Sequence, residues 1–375
     1  MRIGIDISRI AVSARTGTEQ YTYELLAAFG RRNRTIPMTL YANRRPAELP
    51  PLGPNAELRL MPFPRLWTHV RLSAETLLHP PDVLFVPAHV VPLGAPLVRG
   101  MRTVVTIHDL GYLHFPAAHT PAQRLQLRLT TRWSARVADR VIAISRATAD
   151  DLVRHAGVAP GNISVVPHGV AARFRPVPDD AARQAVLARY GIAPASRYFL
   201  YVGTLQPRKN LERAIAAFAD ACRDQPDLEF LLAGKRGWLA EPIERQAAAC
   251  GVAERVRFLG YVNDADLPAL LSAALAFVFP SLYEGFGMPV LEAMACGTPV
   301  VTSATSALPE VAGHAAILVD PADTQGIAAA LRQLANEPEL RQALRERGFR
   351  QAAAFSWDRC GDETMAILTS LASTR

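Results

Sequence analysis

The chain has 375 residues, half of them apolar, 20% charged and 7% aromatic. That composition excludes a disordered, collagen-like or disulfide-stapled protein, and a length of roughly two ordinary domains predicts two cores of the α/β class. The net charge of +7 is uneven, because residues 1–177 hold 22 arginines against 11 acids while residues 178–375 hold 19 basic and 23 acidic residues.

A basic first half suits nucleic acid, an anionic membrane face or a phosphorylated substrate, and it also suits a plain compositional bias toward arginine. No aromatic-and-basic recognition pattern accompanies the charge, so nucleic acid is not expected. Met1 to Ile7 enters a strand pattern directly, with no apolar leader, and no run reaches the ~18 apolar residues of a membrane span. A cytoplasmic chain is expected. Its cysteines, Cys222, Cys250, Cys296 and Cys360, lack any paired spacing that could clamp a metal and read as reduced thiols.

Strand patterns at Arg2–Ile7, Met38–Tyr41, Val83–Val86, Thr103–Ile107 and Val141–Ile144 alternate with helical ones at Thr18–Phe29 and Pro121–Ala138. The second of these helices has Thr120 as its N-cap, Pro121 at its first position and Gln123 to complete a capping box. The Pro-rich stretch Phe174 to Asp180 breaks the rhythm and predicts a domain boundary at 177/178. Strands then recur at Tyr198–Gly203, Phe230–Gly234, Val256–Leu259, Leu275–Phe279, Thr298–Thr302 and Ile317–Asp320, with helices at Leu211–Cys222 and Pro289–Cys296 among them. The fold class expected is α/β, with two doubly wound parallel-sheet domains facing each other across a cleft. A dinucleotide oxidoreductase is disfavoured, because Ile7 is followed by Ser8-Arg9-Ile10-Ala11 and not by a G-x-G-x-x-G turn.

The densest chemical signal is Tyr283-Glu284-Gly285-Phe286-Gly287-Met288-Pro289-Val290-Leu291-Glu292. Its glycines let backbone approach a ligand, the helix that follows favours an anion at its start, and the two carboxylates read as acceptors for sugar hydroxyls. Only two of the 41 basic residues are lysines, Lys209 and Lys235, and each follows a predicted strand of the second half. A compact ammonium kept in so arginine-biased a chain suggests a diphosphate contact, shared by Arg208 and Lys209; exposed solvated charges are the plain alternative. His108 closes the strand Thr103–Ile107 at the sheet edge, either as a structural histidine or as a functional one.

The Glu284/Glu292 pair in E-x7-E spacing resembles the signature of retaining nucleotide-sugar glycosyltransferases of the GT-B fold. Tyr201 to Leu211, Gly297-Thr298-Pro299-Val300-Val301, Leu308 to Gly313 and Phe355-Ser356-Trp357 resemble the same family. The resemblance implies an N-terminal acceptor-side domain over 1–177, a nucleotide-sugar-binding domain over 178–355, and a final helix, 356–375, packed back on the first domain. It implies catalytic work for His108, Glu284, Lys209 and Arg208. Substrate contacts are implied for Gly17, Asp109, Gly203, Lys235, Gly285, Phe286, Gly287 and Glu292, with Asp109 orienting its loop or His108 and with Thr16 and Thr18 flanking Gly17. His314 and Ala171 stand where an acid is common in relatives, and His168 reads as structural or functional alike.

The expected reaction moves a hexosyl unit, mannose first and from GDP-mannose, to a hydroxyl of a glycan or lipid-linked acceptor in surface glycan or glycolipid assembly. A nucleoside diphosphate sugar is the co-substrate; no cofactor is expected, and no metal, since no D-x-D or His/Cys cluster stands where a metal–diphosphate clamp needs one. The rival readings are a nucleotide-sugar epimerase on the same fold and a binding protein without turnover. Arg124, Arg128, Arg132, Arg136 and Arg140 recur every four residues as a basic stripe, read either as a solvated face or as a peripheral contact with an anionic membrane.

Overall fold

The computed structural model describes residues 1–11, 17–33, 35–88, 90–116, 120–237 and 240–373. The chain divides into two compact units, Met1–Gly169 together with Phe355–Arg375, and Val170–Ala354.

The first unit is built on β1 (Ile3–Asp6), β2 (Met38–Ala42), β3 (Ala56–Leu60), β4 (Val83–Val86), β5 (Arg102–Ile107), β6 (Arg140–Ala143) and β7 (Ile163–Val165). All pair in parallel, in the order β3-β2-β1-β4-β5-β6-β7. The second holds β8 (Arg197–Val202), β9 (Leu228–Ala233), β10 (Val256–Gly260), β11 (Ala276–Phe279), β12 (Val300–Ser303) and β13 (Ala316–Val319). These are parallel too, in the order β10-β9-β8-β11-β12-β13.

Central strands such as β4 (VLFV) and β11 (AFVF) are buried along their whole length, as expected where helices cover both faces of a parallel sheet. The edge strands β3 and β7 are only partly buried, and neither is predicted by the apolar pattern that reveals the inner strands. In each sheet the strand order reverses once, between β1 and β4 and between β8 and β11. Such switch points open a crevice beyond the carboxyl ends of the strands.

The structure corrects two sequence expectations. The boundary falls after Gly169 and not at 177/178, because the Pro-rich stretch is tied into the second unit: the Val177 N–H donates to Ser272 Oγ at 3.1 Å and Arg183 Nη1 to the Val177 carbonyl at 2.9 Å. The arginine stripe is not one helix either. The helix Pro121–Val137, which starts with the expected capping box, closes at Ala138. Asp139 then donates its N–H to the Thr103 carbonyl at 2.8 Å, so Arg140 opens β6 and only Arg124, Arg128, Arg132 and Arg136 share the helix. Among the described residues no helix is long and apolar enough to cross a membrane.

The last helix, Trp357–Ala372, lies against the helix Gly17–Arg32 within the first unit. Arg31 pairs with Asp358 at 2.6 Å and Arg32 with Asp362 at 2.5 Å, while Gly361 lets the helix approach Ala28. Ser356 caps the last helix by accepting the Arg359 N–H at 3.0 Å. Beneath that start, a Cβ on Gly169 would stand 2.1 Å from the Trp357 backbone nitrogen, so only glycine allows the chain to pass. Gly169→Ala is therefore expected to cost about 1–3 kcal/mol through overpacking against backbone that cannot yield. Thermal unfolding of the full chain checks this: the first unit's transition should fall by several degrees, and an unchanged transition would show that the helix start moves freely.

Candidate active site

At the switch point of the second sheet, the loop after β8 and the loop after β11 bring three expected residues into one ion cluster. Lys209 Nζ donates to Glu284 Oε1 at 2.6 Å, and Arg208 Nη1 donates to Glu284 Oε2 at 2.9 Å and to the Tyr283 carbonyl at 2.5 Å. Glu284 is buried, only 8% exposed. Burial by itself would raise its pKa, but the Lys209 ammonium and the Arg208 guanidinium outweigh burial and hold the carboxyl below its usual range. Two cations thus share the Glu284 carboxylate.

Local geometry explains how a lysine is held there. Lys209 is buried, with Nζ 4.8 Å from the centre of the Phe279 ring, which itself stacks on Tyr201. Asn210 takes a left-handed conformation (φ 60°, ψ 32°), and its Nδ2 donates to the carbonyls of Pro280 at 3.0 Å and Pro321 at 2.7 Å. The Leu282 N–H donates to the Arg208 carbonyl at 2.9 Å, and the Glu284 N–H to Ser306 Oγ at 3.0 Å. Asn210, Ser306, Tyr201 and Phe279 had no role assigned from sequence. The available signal was an asparagine right after a cationic pair, since asparagine is the side chain that best tolerates the left-handed region after glycine.

Gly203 and Gly234 leave β8 and β9 side by side at positive φ (150° and 151°), and a Cβ on Gly234 would lie 1.9 Å from the Gly203 carbonyl oxygen. Backbone alone forms the rim there. Phe286 is buried, and Gly287 precedes the helix Met288–Ala295. That helix start supplies fewer donors than its sequence suggests, because Pro289 at the second position has no N–H and the Val290 N–H donates to the Gly287 carbonyl at 3.0 Å. Glu292 is half-buried on the same helix, one turn along, and its backbone carbonyl accepts the Cys296 N–H at 3.1 Å. Lys235 is exposed over the Tyr261 ring at 4.9 Å and does not join the ion cluster.

In the first unit His108 follows β5 and is buried, with Nε2 2.8 Å from the Pro87 carbonyl at the end of β4. The Tyr21 ring meets it edge-on at 4.8 Å and the His168 ring lies 5.8 Å away. His168 is itself stacked between Tyr21 and Trp357, at 4.8 and 5.5 Å. Burial, followed by the neighbouring His108, holds its pKa well below the usual histidine range, so it is a neutral ring in an aromatic pile. Asp109 accepts the Gly111 N–H at 3.0 Å and so closes its own loop. Gly17 is the exposed first residue of the helix Gly17–Arg32, and Thr16 lies outside the described residues.

Residues 183–351 match the family profile of the glycosyl transferases group 1, and residues 15–174 match that of glycosyltransferase family 4. The O-antigen chain mannosyltransferase B of Escherichia coli is 34% identical over 266 residues, which cover 70% of this chain and 69% of that protein. The chain belongs to the group 1 glycosyltransferases. The D-inositol 3-phosphate glycosyltransferase of Streptomyces coelicolor is 32% identical over 297 residues, 74% of this chain and 64% of that protein, so the alignment spans somewhat under two thirds of this relative. The crystal structure of Anabaena HepE in complex with UDP-glucose superposes with a TM-score of 0.77 at 19% identity, covering 99% of this chain and all of that one. At that identity the likeness shows a shared GT-B fold.

In this glycosyltransferase the cluster geometry makes stability pH-dependent. A carboxyl whose folded pKa is depressed contributes stability that is fully present above its unfolded pKa and is lost as pH falls through the lower, folded value. Glu284→Gln should destabilise the second unit at neutral pH by ~3 kcal/mol, the scale of breaking one partner out of a buried pair. Urea unfolding at several pH values checks the sign: the gap between wild type and variant should close as pH falls below the ordinary carboxylate range. A gap that persists in acid would show that Glu284 acts by packing and not by charge.

Proposed function

We propose that this glycosyltransferase moves a hexosyl unit from a nucleoside diphosphate sugar to a hydroxyl acceptor, with mannose as the first donor sugar and surface glycan or glycolipid assembly as its setting. The observation that carries the reading is the buried Arg208-Lys209-Glu284 cluster at the switch point of the second sheet. When the bond between the sugar and the diphosphate breaks, negative charge grows on the leaving oxygen, and two preorganised cations held by the Glu284 carboxylate are suited to receive it. Because Arg208 and Lys209 supply that charge, the reaction is read as metal-independent. Retention of configuration is what the resemblance to the retaining family implies. The mannosyltransferase among the relatives and the UDP-glucose in HepE support the donor class.

Within this reading Glu284 accepts hydrogen bonds from donor-sugar hydroxyls, Glu292 accepts them from the ribose, and the backbone around Gly203, Gly285, Phe286 and Gly287 faces the diphosphate. Lys235, exposed on the same unit, contributes to nucleotide binding. His108, with Gly17 and Asp109, serves the reacting sugar and acceptor from the first unit. Turnover is what separates this reading from a binding protein without chemistry. Release of nucleoside diphosphate from GDP-mannose or UDP-glucose should be measurable, and Lys209→Ala should lower kcat/KM by roughly 10²- to 10³-fold, as for removal of one preorganised charge. A Lys209→Ala enzyme as active as wild type would remove the diphosphate role.

The helix Pro121–Val137 favours a second element of the proposal, peripheral docking of the first unit on an anionic membrane. It carries Arg124, Arg128, Arg132 and Arg136 and no acid, and Leu125 and Leu129, one turn apart, are each 58% exposed. Leucines beside arginines on an exposed helix combine an apolar insertion edge with charge that attracts acidic headgroups. Replacing Arg124, Arg128 and Arg132 with Gln should weaken binding to anionic vesicles by up to about 3 kcal/mol. Co-sedimentation at low and high salt checks this, with the difference vanishing at high salt, and absence of wild-type binding at low salt would leave the helix a solvated face.

A further inference from the structure

The carboxyl edge of the second sheet holds the ion cluster; the opposite, amino edge holds a groove that the proposed reaction does not use. Ser196 and Arg197 at the start of β8, Leu275 ahead of β11 and Pro299 ahead of β12 line it. It consists of two adjoining hollows of about 390 and 290 Å³ that share Ser196, Ser272, Ala273 and Arg345. Four arginines line these hollows, Arg183, Arg197, Arg341 and Arg345, and no acid does.

The four guanidinium groups are not equally neutralised. Arg183 pairs with Asp180, and Arg197 with Asp227 at 2.9 Å. Arg341 and Arg345, one turn apart on the helix Pro338–Ala353, form no ion pair among the described residues. Arg341 Nη1 and Arg197 Nη2 donate to the same carbonyl, that of Ala335, at 3.3 and 3.1 Å, which crowds two like charges onto one acceptor. Burial and then the Arg197 charge hold the Arg341 pKa below its usual value, with Glu339 opposing them. That helix starts with Glu337 at its N-cap and Glu339 in its first turn, so two carboxylates stand at its positive end, outside the lining of the groove. In the neighbouring hollow, Gln184 Oε1 is buried with no hydrogen-bond partner among the described residues.

Two guanidinium groups without an ion-pair partner among the described residues, beside a buried acceptor without a donor, are complementary to an anion that carries hydroxyl groups. We propose that this groove is a second anion site, separate from the carboxyl-edge cluster, that takes a phosphate group between Arg341 and Arg345, either free or as the ester of a small polyol whose hydroxyl reaches Gln184. A ligand there would touch the lead-ins to β8, β11 and β12, and the far ends of the first two carry the Arg208-Lys209-Glu284 loops.

Calorimetric titration of the full chain with glucose 6-phosphate and with inorganic phosphate tests the site. Arg341 also caps the helix Thr324–Asn336 through the Leu334 and Ala335 carbonyls, so Arg345→Gln, at an exposed position outside any hydrogen bond of the fold, is the cleaner variant. Both probes should bind wild type and Lys209→Ala alike, and Arg345→Gln should weaken them about tenfold, the effect of losing a charged partner of phosphate, with an unchanged Tm. Tighter binding of glucose 6-phosphate than of phosphate, lost in Gln184→Leu, makes the ester the ligand; equal binding makes it free phosphate. The proposal is overturned by no binding at millimolar concentration, by equal affinity in Arg345→Gln, or by loss of binding in Lys209→Ala.

Discussion

Burial of one carboxylate between two cations is the constraint around which the second unit is arranged. A buried charge is tolerated only when it is paired and hydrogen-bonded, and Glu284 meets that condition through Lys209 and Arg208, residues 75 and 76 positions away in the chain. Both loops must therefore hold one shape. Asn210 ties the loop after β8 to the Pro280 and Pro321 carbonyls, and Arg208 accepts the Leu282 N–H across the same gap. The charge requirement and the loop conformation are one problem with one solution. A guanidinium at 209 would not fit as well, because the compact ammonium reaches Glu284 Oε1 and rests over the Phe279 ring at once.

The two units share a strand order about their switch points but fill them differently. In the first, Tyr21, His108, His168 and Trp357 pack as a buried aromatic group, with the Tyr21 hydroxyl 3.1 Å from Thr106 Oγ1. In the second, the crevice edge is ionic.

Much of this was legible in the sequence, for reasons that differ from place to place. The inner strands announce themselves because both faces are covered, so β4 and β11 are unbroken apolar runs. β3 and β7 are edge strands with partly exposed side chains, and their composition resembles that of loops. The four-residue spacing of arginines runs on past the helix, since periodicity in one residue type does not register that Asp139 has already joined the sheet beside Thr103. Glu284, Arg208 and Lys209 could be picked out one by one. Their mutual pairing could not, because it joins loops that only the parallel sheet brings together. Asn210 and Ser306 act through backbone geometry, which leaves almost no compositional trace.

The return of the last helix to the first unit also affects how the chain is made. Residues up to Gly169 emerge from the ribosome first, yet the helix Trp357–Ala372 that covers Ala28 and stacks Trp357 on His168 emerges only after the whole second unit. At the usual ~5–20 residues per second, the first unit waits on the order of ten seconds or more with that face uncovered. Val170–Ala354 is continuous in sequence and has no such wait. The second unit is thus able to finish folding during synthesis, while the unit begun first is completed last.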